Sequence, residues 1–141
     1  MHGIFHKIHI DASPEEIFQA LTTESGLSSW WTKAEQHGNS ITLSFGPNGE
    51  HKVVMLQLSV APNEEVRWLC SEGPWEEKGE FKFSISKNEN GSYLNFSHVG
   101  WPKIDDFYKH CNAKWGYFLV ISLKQYLETG VGAPHPQDPS I

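Results

Sequence analysis

From Ile104 to Thr129 a mostly apolar stripe returns in steps of three and four: Ile104, Tyr108, Cys111, Trp115, Phe118, Leu119, Ser122 and Tyr126. That spacing places all eight on one face of an α-helix. At 1.5 Å per residue the predicted helix is about 39 Å long, enough to cross a small domain. Between Tyr117 and Leu123 the apolar character spreads around the helix, which predicts burial on several sides. Asp105 and Asp106 suit the positive end of its dipole, and Gly130 is a natural C-cap. Gly116, inside the run, costs about 1 kcal/mol relative to Ala and marks close approach of another backbone.

Upstream of this helix the period falls to two. Ile4, His6, Ile8 and Ile10 alternate with polar neighbours and read as the inward face of a first strand. Further alternating sets are Ile41, Leu43 and Phe45; Val54, Leu56, Leu58 and Val60; and Val66, Trp68 and Cys70. Two more follow, Phe81, Phe83 and Ile85, then Leu94, Phe96 and His98. Turn signals such as Gly46-Pro47-Asn48-Gly49 and Asn88-Glu89-Asn90-Gly91 separate them, so hairpin-ordered antiparallel strands are expected, six or seven in all. Clean alternation means one wet face and one buried face, and the buried face needs a cover.

Two short helices interrupt the strands. Ser13-Pro14-Glu15-Glu16 combines an N-cap Ser, Pro at N1 and Glu at N3, a capping box that starts a helix ending near Thr22. A second helix is expected from Glu24 to Trp30, weakened by Gly26. Trp30 and Trp31 then either pack on the sheet, or one of them closes the mouth of a pocket. The reading is an α+β chain: one domain over 1–130 and an extended, partly disordered Pro-rich tail over 131–141.

Composition narrows the classes of partner. Eleven basic against seventeen acidic residues give a net charge of −6, which argues against nucleic acid or an anionic membrane as the main partner. No apolar run reaches eighteen residues and Met1–Ile10 lacks the apolar core of a signal peptide, so no membrane insertion and a cytoplasmic location are expected. Cys70 and Cys111 both fall on apolar faces and read as buried, reduced thiols. None of the eight histidines pairs at ligand spacing beside a carboxylate, so neither a metal nor a cofactor is expected.

Three stretches, in this order, carry a resemblance. They are Ser13–Thr22 followed by Leu27-Ser28-Ser29-Trp30-Trp31-Thr32; the strand end His98-Val99-Gly100-Trp101; and Trp115-Gly116 through Leu119, with Leu123–Glu128 and Gly130. Together they resemble the group named for the activator of heat-shock protein 90 ATPase (AHSA-like), within the START-like (SRPBCC) superfamily. The resemblance implies a helix-grip fold, in which a curved antiparallel sheet closes around a long C-terminal helix. It also implies a cavity between sheet and helix for a lipid, sterol, polyketide or other apolar molecule. Some members of the superfamily are aromatases or cyclases and others co-chaperones, the latter with a separate N-terminal domain beside this one. No catalytic motif unites them, so no catalytic residue carries over.

With that cavity, the sheet is expected to contribute Trp68, Cys70, Phe83, Phe96 and His98. The helix contributes Cys111, Trp115, Phe118, Leu119 and Ser122, with its N-terminal turns facing the ligand, and Trp31 sits at the mouth. His98, Ser122 and His6 are the candidate polar anchors in an otherwise apolar pocket. The alternative is that aromatic rings fill the centre and His98 serves a nearby backbone group. Three functions stand: binding of a small hydrophobic ligand; cyclase- or hydrolase-type catalysis through His6 and His98 with Cys70, Cys111 or Tyr108; and a chaperone-binding module.

Overall fold

Seven strands pair into one antiparallel sheet: β1 (His2–Ile10), β2 (Lys33–His37), β3 (Ser40–Phe45), β4 (His51–Ala61), β5 (Glu65–Glu72), β6 (Glu80–Asn88) and β7 (Gly91–Trp101). Their order is β1-β7-β6-β5-β4-β3-β2 in the computed structural model, which describes residues Met1–Ile141. Helices α1 (Pro14–Thr22) and α2 (Glu24–Trp30) follow β1. The chain ends in α3 (Asp106–Gly116), a π-helical stretch (Tyr117–Leu123) and α4 (Lys124–Thr129), which together form the long element held by the curved sheet. This is the helix-grip arrangement, an α+β fold.

Local chemistry starts each helix where the sequence predicts. The Ser13 hydroxyl accepts from the Glu16 N–H, and the Glu16 carboxylate accepts from the Ser13 N–H, completing the capping box. Thr23 caps α2 by accepting from the Gly26 N–H. Gly26 also lets α2 press onto α1, because a Cβ there would lie 2.7 Å from the Ala20 Cα.

The edge of β1 is met by the long helical element. The Tyr108 hydroxyl donates to the Gly3 carbonyl at 2.6 Å, Lys124 donates to the His9 carbonyl, and the Asp11 N–H donates to Glu128 at 2.8 Å. An edge strand offers unpaired backbone groups, and here side chains of α3 and α4 occupy several of them. His6 reaches the same helix, with Nε2 3.1 Å from the Asn112 side-chain oxygen. It lies on the inward face as expected, half-buried and hydrogen-bonded at the rim rather than enclosed in the core.

The seventh strand, within the expected six or seven, is Lys33–His37, too polar to announce itself by alternation. Three expectations are corrected. On β4 the inward residues are Val53 and Met55, while Leu58 and Val60 are exposed and Val54 and Leu56 only half-buried. Both frames of 53–56 are apolar, and register shifts at Val54/Met55 and Gln57/Ser59 move the phase. The long helix begins at Asp106 with Asp105 as N-cap, leaving Ile104 53% exposed. Within 117–123 only Phe118, Leu119, Ser122 and Leu123 are buried, and Val120 and Ile121 face outward. Pairs four residues apart keep one buried face through the π-helical turns.

Gly116 corrects a fourth. A Cβ there would meet only the His6 ring, at an ordinary 3.6 Å, so no backbone approach requires glycine. The residues after Gly130 are also not a loose tail. Gly130 turns left-handed (φ 92°), and Val131–Ile141 folds back over the domain.

Candidate functional site

The interior between sheet and helix is divided into a filled part and an open part. In the filled part Trp30, Trp31 and Trp68 stack in succession, with ring centroids 5.7 Å apart at each step. Trp68 packs on Phe83 (4.9 Å), Phe83 on Phe96 (5.1 Å) and Phe96 on Trp115 (4.3 Å). Trp115 returns to Trp31 at 4.9 Å, closing a ring of aromatics drawn from α2, β5, β6, β7 and α3. Offset and tilted contacts at these separations are each worth about 0.5–1.5 kcal/mol beyond the area they bury. Six of the eighteen aromatic residues are used in this packing.

On one side of the ring lies a cavity of about 630 Å³, within the range of small-molecule pockets. Its floor is Trp31, Trp115, Cys111 and Phe118. One wall is Phe45 and Val53, from β3 and β4, and another is Pro74 and Trp75, from the loop after β5. Phe107, His110 and Lys114 complete the α3 side, and His135 and Asp138 of the folded-back C-terminal segment complete the last. The β3–β4 turn adds Glu50, His51 and Lys52 at the rim.

Of the expected site residues, the fold brings Trp31, Cys111, Trp115 and Phe118 to this pocket. Trp31 is only 2% exposed and belongs to the floor, not the mouth. Trp68, Phe83 and Phe96 lie in the packed ring, and Leu119 is fully buried beyond the pocket lining. Ser122 does not look into space: its hydroxyl donates to the Trp30 carbonyl (2.6 Å) and accepts from the Ala133 N–H (3.0 Å). It joins α2, the π-helical stretch and the C-terminal segment. Cys70 is buried off the pocket, 3.4 Å from the Glu72 carbonyl oxygen, and burial pushes its thiol up.

His98 is also sequestered. It is fully buried on β7, stacked 3.7 Å from Phe81, and its Nδ1 accepts from the Trp101 indole N–H at 3.2 Å. That contact fixes the neutral tautomer with hydrogen on Nε2. Burial lowers its pKa from 6.5 to about 4, with a smaller opposing contribution from the Lys78 backbone. The Cys111 thiol is pushed up to about 11, first by burial, although the Trp75 indole N–H points at its sulfur from 3.4 Å. A neutral thiol is a poor nucleophile. No group of three or more His, Cys, Asp or Glu side chains is placed to hold a metal, and no helix is long and apolar enough to cross a membrane.

Sequence reasoning missed much of the lining. Trp75 carried a usable signal, a large aromatic in a Gly-Pro loop with no strand to bury it. Phe107, His110 and Lys114 follow a helical spacing offset by one residue from the stripe first chosen. His135 and Asp138 carried none, since their roles rest on polar contacts to distant segments.

Comparison with known proteins agrees with this architecture. The solution structure of the Aha1 dimer from Colwellia psychrerythraea is 38% identical and superimposes with a TM-score of 0.81, over 94% of this chain and 100% of that one. The AHSA1-like protein from Aeromonas hydrophila shares the fold at 12% identity, with a TM-score of 0.71 over 92% of this chain and 94% of that one. So does DynU16, a protein of the dynemicin biosynthetic locus, at 17% identity and a TM-score of 0.74 over 92% of this chain and 48% of that one. No match is found among curated proteins. Residues 11–128 match the family model described as Activator of Hsp90 ATPase homolog 1-like protein. With that match over most of its length and the Colwellia relative end to end, the chain belongs to the Activator of Hsp90 ATPase homolog 1-like family.

Proposed function

We propose that the chain binds a small, predominantly aromatic and uncharged molecule in the pocket beside the Trp31–Trp115 contact. The observation that carries the reading is an open space of about 630 Å³ walled by six aromatic side chains, Trp31, Phe45, Trp75, Phe107, Trp115 and Phe118. Apolar surface left open in an otherwise close-packed interior is a standing affinity for an apolar guest. Of the four ionic side chains in the lining, Lys114 and Asp138 pair with each other at 2.6 Å, and Glu50 and Lys52 at the exposed rim are engaged by the Asn48 N–H and the Ser44 hydroxyl, so the interior of the pocket offers no free charge to a ligand.

Binding accounts for the site better than turnover. Acid–base chemistry needs a titrating group free to exchange a proton with the ligand. His98 lies outside the lining and His6 sits on the β1 rim, paired with Asn112. Of the histidines that do line the pocket, His135 has both ring nitrogens engaged, by Asp138 and by the Gly46 carbonyl, while His51 and His110 are exposed at its edge. Cys111 faces the pocket as a protonated thiol.

Native mass spectrometry of the purified protein, followed by denaturation and mass analysis of what is released, tests the reading. The expected result is a small neutral aromatic compound leaving unchanged. A released compound that the protein converts on re-addition would favour the enzyme, and retention of a chaperone without any small molecule would favour the partner-binding module.

A further inference from the structure

The C-terminal segment Val131–Ile141 forms one wall of the pocket, but it is held differently from the others. None of its eleven residues is fully buried. Its attachments are polar and reach separate elements. The Tyr117 hydroxyl donates to the Ala133 carbonyl (2.8 Å), and the His135 N–H donates to the Trp31 carbonyl (2.7 Å). His135 Nε2 lies 3.0 Å from the Gly46 carbonyl oxygen in the β3–β4 turn. Asp138 is the centre of the attachment. One carboxylate oxygen takes Lys114 Nζ at 2.6 Å and the other faces His135 Nδ1 at 2.7 Å, and the side chain is only 8% exposed. Lys114 also donates to the Pro139 carbonyl.

Segments fixed by polar contacts, with little buried apolar area, open locally without unfolding the domain. The pocket floor, by contrast, is built on the buried Trp31–Trp115 contact of the aromatic ring. We infer that Val131–Ile141 is a strap that gates the pocket, latched to α3 by the Asp138–Lys114 ion pair. It spans from the end of α2 to the β3–β4 turn and back to α3, so its release uncovers the side of the pocket on which His135 and Asp138 stand. Either cut breaks the Asp138–Lys114 pair; losing the Asp138 charge also weakens its contact with His135, and losing Lys114 also removes the bond to the Pro139 carbonyl. The strap as a ligand gate rests on the binding reading above; its opening does not.

Cys111 reports that opening, since its sulfur lies on the pocket floor while Cys70 is buried off the pocket. The test is iodoacetamide alkylation of the full chain followed by peptide mass mapping, for the parent, Asp138→Asn and Lys114→Met. Asp138→Asn is expected to speed modification of Cys111 by about ten-fold, the scale of one lost charge-assisted contact. Lys114→Met should also speed it, and the double variant should fall short of the product of the two single effects, because both substitutions break the same pair. Cys70 modification and amide exchange in β6 and β7 should stay unchanged. An unchanged Cys111 rate in both single variants would overturn the strap. So would equal acceleration at Cys70, which would mean general loosening. In parallel, the uncharged dye N-phenyl-1-naphthylamine should bind and dissociate faster in Asp138→Asn. If it binds neither protein, the binding reading and the gate's ligand role fail, and the alkylation result still decides whether the strap opens.

Discussion

The rings of Trp31 and Trp115 lie 4.9 Å apart at 43°, and on one side of this contact the interior is solid while on the other it is open. Trp31 reaches it from the end of α2 and Trp115 from the last turn of α3. The same pair therefore holds the helix in the sheet and forms the floor of the pocket.

Removing one partner merges the two regions. Trp115→Ala deletes a side chain only 3% exposed that also touches Phe96, Phe81 and Phe83. Large-to-small changes of this kind destabilise by about 3–5 kcal/mol. Urea unfolding should show a correspondingly lower midpoint with an unchanged slope. A loss under about 1 kcal/mol would mean that the ring is not the packed core described here.

Acid sensitivity should trace to His98. Its folded pKa of about 4 lies below the ordinary 6.5, so the neutral ring is the form the fold accepts. Its contribution is complete above about pH 6.5 and falls as pH drops toward 4, on the order of 3 kcal/mol in total. His98→Gln keeps an acceptor for the Trp101 N–H without a titrating ring. The variant's stability should vary less between pH 6.5 and 4 than the parent's. Parallel curves for the two proteins would assign the acid limb to other groups.

Gly116 tests the packing from the opposite direction. It is helical (φ −56°, ψ −47°) with room for a methyl group against His6. Gly116→Ala should stabilise by about 0.5–1 kcal/mol, read as a rise in thermal midpoint of a few degrees. Destabilisation would reveal a close approach that the structure does not contain.

The sequence made the sheet and the helix legible because period and capping act locally. Ser13 and Glu16 announce a helix start within four residues, and Phe81, Phe83 and Ile85 alternate without ambiguity. Val53–Leu56 defeats the same method, since four consecutive apolar residues fit either face until bulges choose one. Which aromatics fill and which line was legible only in part: Trp31, Trp115 and Phe118 were expected at the pocket and line it, but Trp68, Phe83 and Phe96, expected there too, are used up in the packed ring. Alternation puts a strand residue on the inner face without saying whether its neighbours leave space beside it. His135 and Asp138 lie further still from any local signal, in a Pro-rich stretch whose partners are Gly46 and Lys114.

Tryptophan fluorescence during titration with N-phenyl-1-naphthylamine tests the central claim most directly, comparing the parent with Trp75→Ala. Trp75 is half-buried on a loop and meets Trp31, Phe45 and Phe81 across the pocket, so its loss removes a wall rather than the floor. The account predicts saturable one-to-one quenching in the parent. Binding should be at least about ten-fold weaker in the variant, in keeping with the roughly 1.5–3 kcal/mol carried by one large buried side chain. Quenching that does not saturate in the parent, or equal affinity in both proteins, would contradict it.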